Sequence, residues 1–159
     1  MTKETPTVST PDLAETLGMR VESLRGWRHR GLTPRAGRRW DLTAGLRAVL
    51  IHRLSEHFAP LEVAAGVAEG VSSLIYDDLN EGRSGNGVVS IVSYPSGNRG
   101  IYVGGASASE GAWGSVLRHL QDELTRHGLS KVVILDIRHD LRLLAGLFLY
   151  KSECCDSEE

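Results

Sequence analysis

The stretch Leu13–Trp40 reads LAETLGMRVESLRGWRHRGLTPRAGRRW. Leu13, Ala14 and Leu17 give one apolar face to a short helix, and Gly18 permits the left-handed turn that stops it. Val21, Leu24 and Trp27 then recur at i, i+3 and i+6, which predicts a second helix over about 21–30. Gly31-Leu32-Thr33-Pro34 ends it. Nine arginines lie between Arg20 and Arg53 (Arg20, Arg25, Arg28, Arg30, Arg35, Arg38, Arg39, Arg47, Arg53), against two acids, Glu22 and Asp41. A merely solvated helix surface mixes charges of both signs. Arginine on the second of two turn-linked helices, and on the loop after it, points instead to a DNA duplex.

Outward from this stretch, residues 1–8 read as a loose arm. Thr10 is placed to cap the first helix, with Pro11 at the first helical position, where a missing N–H costs nothing. Arg20, Ser23, Arg28 and Arg30 fall off the apolar stripe of the second helix and face outward. With Thr10, Arg25 and His29 they are the candidate duplex contacts on the helices. Arg25 suits a phosphate clamp or a pair with Glu22, three residues earlier. Arg38 and Arg39 sit at or near the base of the tight turn Pro34–Trp40, where arginine fits a phosphate or a narrow minor groove. Trp40 reads as a core anchor beneath that turn.

Asp41 is expected to cap a third helix over about 42–57, with Leu46, Val49, Leu50 and Leu54 as its stripe. His52 and His57, five apart, share no face, so no metal site is expected from them. Ala59-Pro60 breaks the chain before a fourth helix over about 60–79, rich in alanine and valine. Glu81–Gly87, EGRSGNG, reads as a linker.

The N-terminal pattern resembles the winged helix-turn-helix of the MerR family. The matching residues are Leu13-Ala14 and Gly18, Leu24-Arg25 with Trp27, Gly31-Leu32 with Pro34, and Arg39-Trp40 where that family closes its wing with an arginine and an aromatic. The resemblance covers roughly residues 8–80. The wing is only a few residues long, closer to the short-wing, excisionase-like or phage-regulator relatives, and Trp27 and Trp40 stand where tyrosines are more usual. The resemblance implies DNA binding and a dimer; it supplies neither an effector nor a target site.

Beyond the linker the character changes. Val88–Tyr94 (VVSIVSY) and Ile101–Gly104 read as a hairpin around Pro95–Gly100. A helix capped by Ser107 or Ser109 is expected to run to about His127, with Trp113 at its front and Val116, Leu117, Leu120 and Leu124 as its stripe. Lys131–Ile137, KVVILDI, is a continuous apolar run of the kind found in strands covered on both faces. A last helix starts at Asp140 with Leu141, Leu144, Ala145 and Phe148, and an acidic tail from Ser152 is expected to be disordered. The predicted fold class is α+β: an N-terminal all-α winged helix-turn-helix domain (1–82), a small mixed β-β-α-β-α domain (86–151) and a tail (152–159). Trp113, Val116, Leu117, Leu120 and Leu124 are the candidate dimer or partner contacts.

With 159 residues and 41% hydrophobic content the chain is long enough and apolar enough for a folded core. Its formal net charge of −2 conceals an asymmetry. Residues 1–53 carry ten basic and five acidic side chains, net +5, while residues 54–159 carry eight and fifteen, net −7. The basic part suits a polyanion and the acidic part avoids it.

Cys154 and Cys155 are adjacent and lack the spacing of a zinc site or a redox dithiol. Neither a secretory signal nor a membrane span is expected, and the reading is a cytoplasmic, nucleoid-associated protein. Gly104–Gly111 precedes a helix but lacks phosphate-loop or dinucleotide spacing. Asp136, His139 and Asp140 follow a strand without a nucleophile or ligand pattern, so neither a cofactor nor catalysis is expected.

The residues therefore favour a sequence-specific double-stranded DNA-binding transcription regulator, repressor-like, acting as a homodimer or larger homo-oligomer. Two alternatives stand beside it: an excisionase, architectural or phage-packaging DNA-recognition protein, and a protein-interaction module acting through its C-terminal domain.

Overall fold

A computed structural model describes residues 5–34, 37–80, 86–105 and 109–155, leaving aside the side chains of 78–80 and 149–155. The protein is α+β, with helices α1 (Thr10–Leu17), α2 (Val21–His29), α3 (Leu42–Leu54), α4 (Leu61–Asn80), α5 (Gly111–His127) and α6 (Arg138–Cys155), and strands β1 (Val88–Ser93), β2 (Arg99–Val103) and β3 (Lys131–Asp136). Its packing divides it into one unit of residues 1–72 with 140–159, and a second of 73–139. This differs from the expected division at 82–86: α6 from Asp140 onward belongs with the N-terminal unit. Periodicity reports which face of a helix is apolar, not which distant helix covers it.

In the first unit, α1 ends at Gly18, whose φ of 63° only glycine adopts cheaply; the Met19 amide then donates to the Ala14 carbonyl at 2.8 Å. The helix cap is Ser9, not Thr10: its hydroxyl accepts from the Asp12 amide at 3.2 Å. Leu13, Ala14, Leu24 and Trp27 are buried, while Leu17 and Val21, expected on the same stripes, are half-buried. Asp41 caps α3 by accepting from the Ala44 amide at 2.8 Å.

That helix stops at Leu54, short of the expected 57, and is buried well beyond one stripe: Ala44, Gly45, Leu46, Ala48, Val49, Leu50, Ile51 and Leu54 are all inside. A helix apolar nearly all round is central to its unit. α6 lies against it closely enough that a side-chain carbon placed on Gly45 would stand 3.3 Å from Leu144 and 3.4 Å from Phe148. Beside this contact the Arg53 guanidinium grips the buried Asp140 carboxylate with two bonds, 2.9 and 3.1 Å. Those bonds hold Arg53 above its ordinary value, against the desolvation that lowers it. Asp140 thus pairs across the unit, while the helix begins earlier, at Arg138. α6 continues through Cys155, so residues 152–155 of the expected tail are helical; the rest of the tail and residues 81–85 of the expected linker lie outside the described residues.

The second unit holds an antiparallel sheet in the order β2-β1-β3. β1 pairs with β2 from Val89↔Val103 to Ser93↔Arg99, the expected hairpin, and with β3 from Val88↔Asp136 to Ser93↔Lys131. The central strand is therefore β1, buried from Val88 to Val92, and β3 is an edge strand. This corrects the reading of KVVILDI as a strand covered on both faces: the strand ends at Asp136, within it only Val133 and Leu135 are buried, and Val132 is 41% exposed.

α5 packs on the sheet through Ala112 and Val116, with Val88, Tyr102, Leu120 and Ile134 around them. It begins at Gly111 with no side-chain cap, unlike the expected start at a serine cap; Ser109 bonds the Glu110 carboxylate instead. Polar tethers flank this core. The Tyr94 hydroxyl donates to Glu123 at 2.5 Å, which raises the phenol and lowers the carboxylate. Tyr102 stacks on His119 with ring centres 4.1 Å apart and shares a 2.6 Å bond with Ser115.

Candidate nucleic-acid interface

The arginines expected as one outward cluster fall into two groups. Arg20, Arg25 and Arg38 are exposed and have no side-chain partner among the described residues. Arg25 does not pair with Glu22, one of the two roles its position offered. Ser23 is half-buried near the start of α2, and His29 is exposed at its end. Arg25 and His29, four apart, share one side of the helix with Arg28. Arg35 lies outside the described residues.

The second group is engaged by partners within the protein. Arg28 does not point freely outward, the direction its helical phase gives it. Its guanidinium carbon stands 3.9 Å over the Trp40 ring centre, its Nη2 donates to the Arg39 carbonyl at 2.9 Å, and its Nη1 reaches the Gly37 carbonyl at 3.4 Å. Burial lowers Arg28 from its ordinary value, and Asp41 acts in the opposite direction. Arg39, expected as a duplex contact, bonds Thr7 twice: Nε to the hydroxyl at 2.8 Å and Nη2 to the carbonyl at 3.0 Å. Arg30 pairs with Glu62, and Arg47 stands 3.9 Å from Glu69. Both ends of the Arg30–Glu62 pair are about half exposed, so this pair is worth little in water.

Trp40 is the residue on which Arg28 stacks. It is fully buried, as expected of an anchor. Its amide and carbonyl exchange two 2.8 Å bonds with Val8, and its indole N–H donates to the Thr10 hydroxyl at 2.9 Å. Thr10, expected as a cap and a duplex contact, is thus a partner of the tryptophan. The result is a loop, residues 37–40, fastened at once to α1, to α2 and to the strand-like residues Thr7 and Val8. The sequence carried one signal of this: a long arginine on α2, a glycine-bearing turn with free carbonyls, and a tryptophan at the end of that turn.

Of the expected partner contacts on α5, the structure separates two kinds. Val116 is fully buried against the sheet and Leu120 packs partly with it. Trp113, Leu117 and Leu124 are 40%, 55% and 61% exposed. A shallow groove between α5 and β3 is lined by Leu120, Leu124, Leu129 and Val132. Near the start of α5 and the end of β3, outside this groove, the Trp113 indole donates to Asp136 at 3.0 Å, and Arg138 binds the same carboxylate, holding it far below the usual range.

Among the described residues no three metal-ligating side chains come together, and no helix is long and apolar enough to cross a membrane. No protein-family model matches this sequence, and neither does any curated protein.

Proposed function

We propose that the protein is a sequence-specific double-stranded DNA-binding regulator of the short-wing MerR-like type, repressor-like and nucleoid-associated in the cytoplasm, that works as a homo-oligomer and not as an enzyme. One observation carries the reading. Arg20 at the N-cap of α2, Arg25 on α2, and Arg38 on the loop fastened to α2 by Arg28, remain exposed and without side-chain partners among the described residues. A short helix with unpaired arginines at its start and flank, beside a loop bearing another, suits entry into a major groove with the loop on the adjoining backbone.

One such head reads only a few base pairs. Two heads would read half-sites about 34 Å apart, or a multiple of that. The exposed Trp113, Leu117 and Leu124 on α5 support an association of copies, since a contiguous apolar stripe of this kind marks an interaction surface.

Anisotropy titration against duplex fragments of the source genome tests the proposal. Replacing Arg20, Arg25 and Arg38 together with alanine should weaken binding roughly a hundredfold or more, and the slope of log affinity on log salt should fall by about 0.9 for each phosphate no longer neutralised. Unchanged affinity in the triple variant would remove DNA recognition from this surface. The oligomer is tested separately by sedimentation: Leu117→Glu with Leu124→Glu should shift the protein to monomer and abolish paired footprints while single-head binding persists. Footprints at recombination or packaging sites, in place of promoters, would favour an architectural role for the same interface.

A further inference from the structure

We infer that Arg28 and Arg39 are positioning residues that set Arg38 in place, and that they are not themselves ligands of the nucleic acid; this rests on the DNA-binding reading above. Arg38 lies between two backbone carbonyls, those of Gly37 and Arg39, and both accept from the one Arg28 guanidinium. That guanidinium is stacked on Trp40 and partly desolvated, and its Nε is buried without a partner. Moving it onto a phosphate would strip the two carbonyls and the ring face together.

Arg39 closes the other side. Its bidentate hold on Thr7 fixes the neighbour of Arg38 to the segment that pairs with Trp40 through Val8. Arg38 is exposed and has no side-chain partner among the described residues. Both of its chain neighbours are thus fastened while its own side chain is displayed. The ordering of the loop is complete before DNA arrives, so binding does not have to supply it. Arg25, three residues before Arg28 on the same helix face, stands on the side to which the loop is drawn. Arg25 and Arg38 form a pair of displayed arginines whose spacing is preset by Arg28 and Arg39.

Lysine at position 28 separates this role from that of a ligand. It keeps the charge and would still serve a phosphate, but it lacks the planar fork that stacks on an indole while holding two carbonyls. With a labelled duplex selected by the wild-type protein from genomic fragments, Arg28→Lys and Arg39→Lys should each lose about tenfold in affinity with the salt slope unchanged, whereas Arg38→Met should lower the slope by about 0.9. Arg28→Met should likewise leave the slope unaltered; a drop of about 0.9 there would make Arg28 a phosphate ligand and overturn the inference. So would wild-type affinity in Arg28→Lys.

Hydrogen exchange in the free protein gives a readout independent of DNA. The Trp40 amide, bonded to Val8, should exchange about tenfold faster in Arg28→Lys if the guanidinium holds the loop. Unchanged exchange overturns the positioning role whatever the duplex does. Faster exchange in a protein that binds no duplex keeps the loop-ordering role and rejects the DNA reading. Arg39 is exposed, so Arg39→Lys remains a folded test if position 28 proves intolerant.

Discussion

Trp40→Ala is expected to cost about 3–5 kcal/mol, the usual range for emptying a buried large aromatic site, and to bring the N-terminal unit close to its unfolding threshold. The indole is fully enclosed, so no water-filled rim softens the loss. Three further interactions go with the ring: the N–H bond to Thr10, the face under Arg28, and the packing that keeps Trp40 paired to Val8. Arg28 would then be left with a partly buried guanidinium above a void.

Trp40→Phe separates these contributions. It keeps an aromatic face for Arg28 and most of the volume but loses the bond to Thr10, and its cost should be only about 1–2 kcal/mol. Urea unfolding followed by far-ultraviolet circular dichroism measures both. A Trp40→Ala cost below about 1 kcal/mol would mean that the loop is an ornament on the unit and not part of its core.

The anchor role of Trp40 was legible because a lone tryptophan after an arginine-rich turn has few other uses. The role of Arg28 was not. Helical phase places its Cα on the outward side, and a stripe pattern treats every charged residue there as solvated; the long stem instead bends back over the ring. The same local logic missed the Arg53–Asp140 pair, whose partners lie 87 residues apart. It also missed that a continuous apolar run can occupy a sheet edge. In β3 the alternate residues Val133 and Leu135 are buried, while Val132 borders the α5 groove and stays half in water. By contrast, the hairpin and the start of α3 were fixed by local chemistry, turn residues between β-branched runs and an aspartate cap, and both appear where expected.

Gly104→Ala should damage the second unit as severely as Trp40→Ala damages the first, for a different reason. Gly104 ends the hairpin at the point where its amide donates to the Val88 carbonyl at 2.8 Å. A side-chain carbon there would stand 2.3 Å from the Ala112 carbonyl oxygen, and 3.0 Å from both the Ala112 carbonyl carbon and the Val116 side chain. The obstacle is mostly helix backbone, which cannot rotate away as a side chain would. Either the first turn of α5 moves off the sheet or the bond to Val88 breaks.

Both routes open the small cluster of Val88, Ala112 and Val116 on which α5 rests. Overpacking typically costs about 1–3 kcal/mol, and a clash with main chain belongs at or above the top of that range. Amide exchange along β1 should accelerate, while protection in α1–α3 stays as it was. Adding Val116→Ala should not rescue the variant, because it clears the methyl contact and leaves the carbonyl in place. Rescue by Val116→Ala would show that a flexible side chain, not the backbone of α5, sets how closely the hairpin and the helix approach.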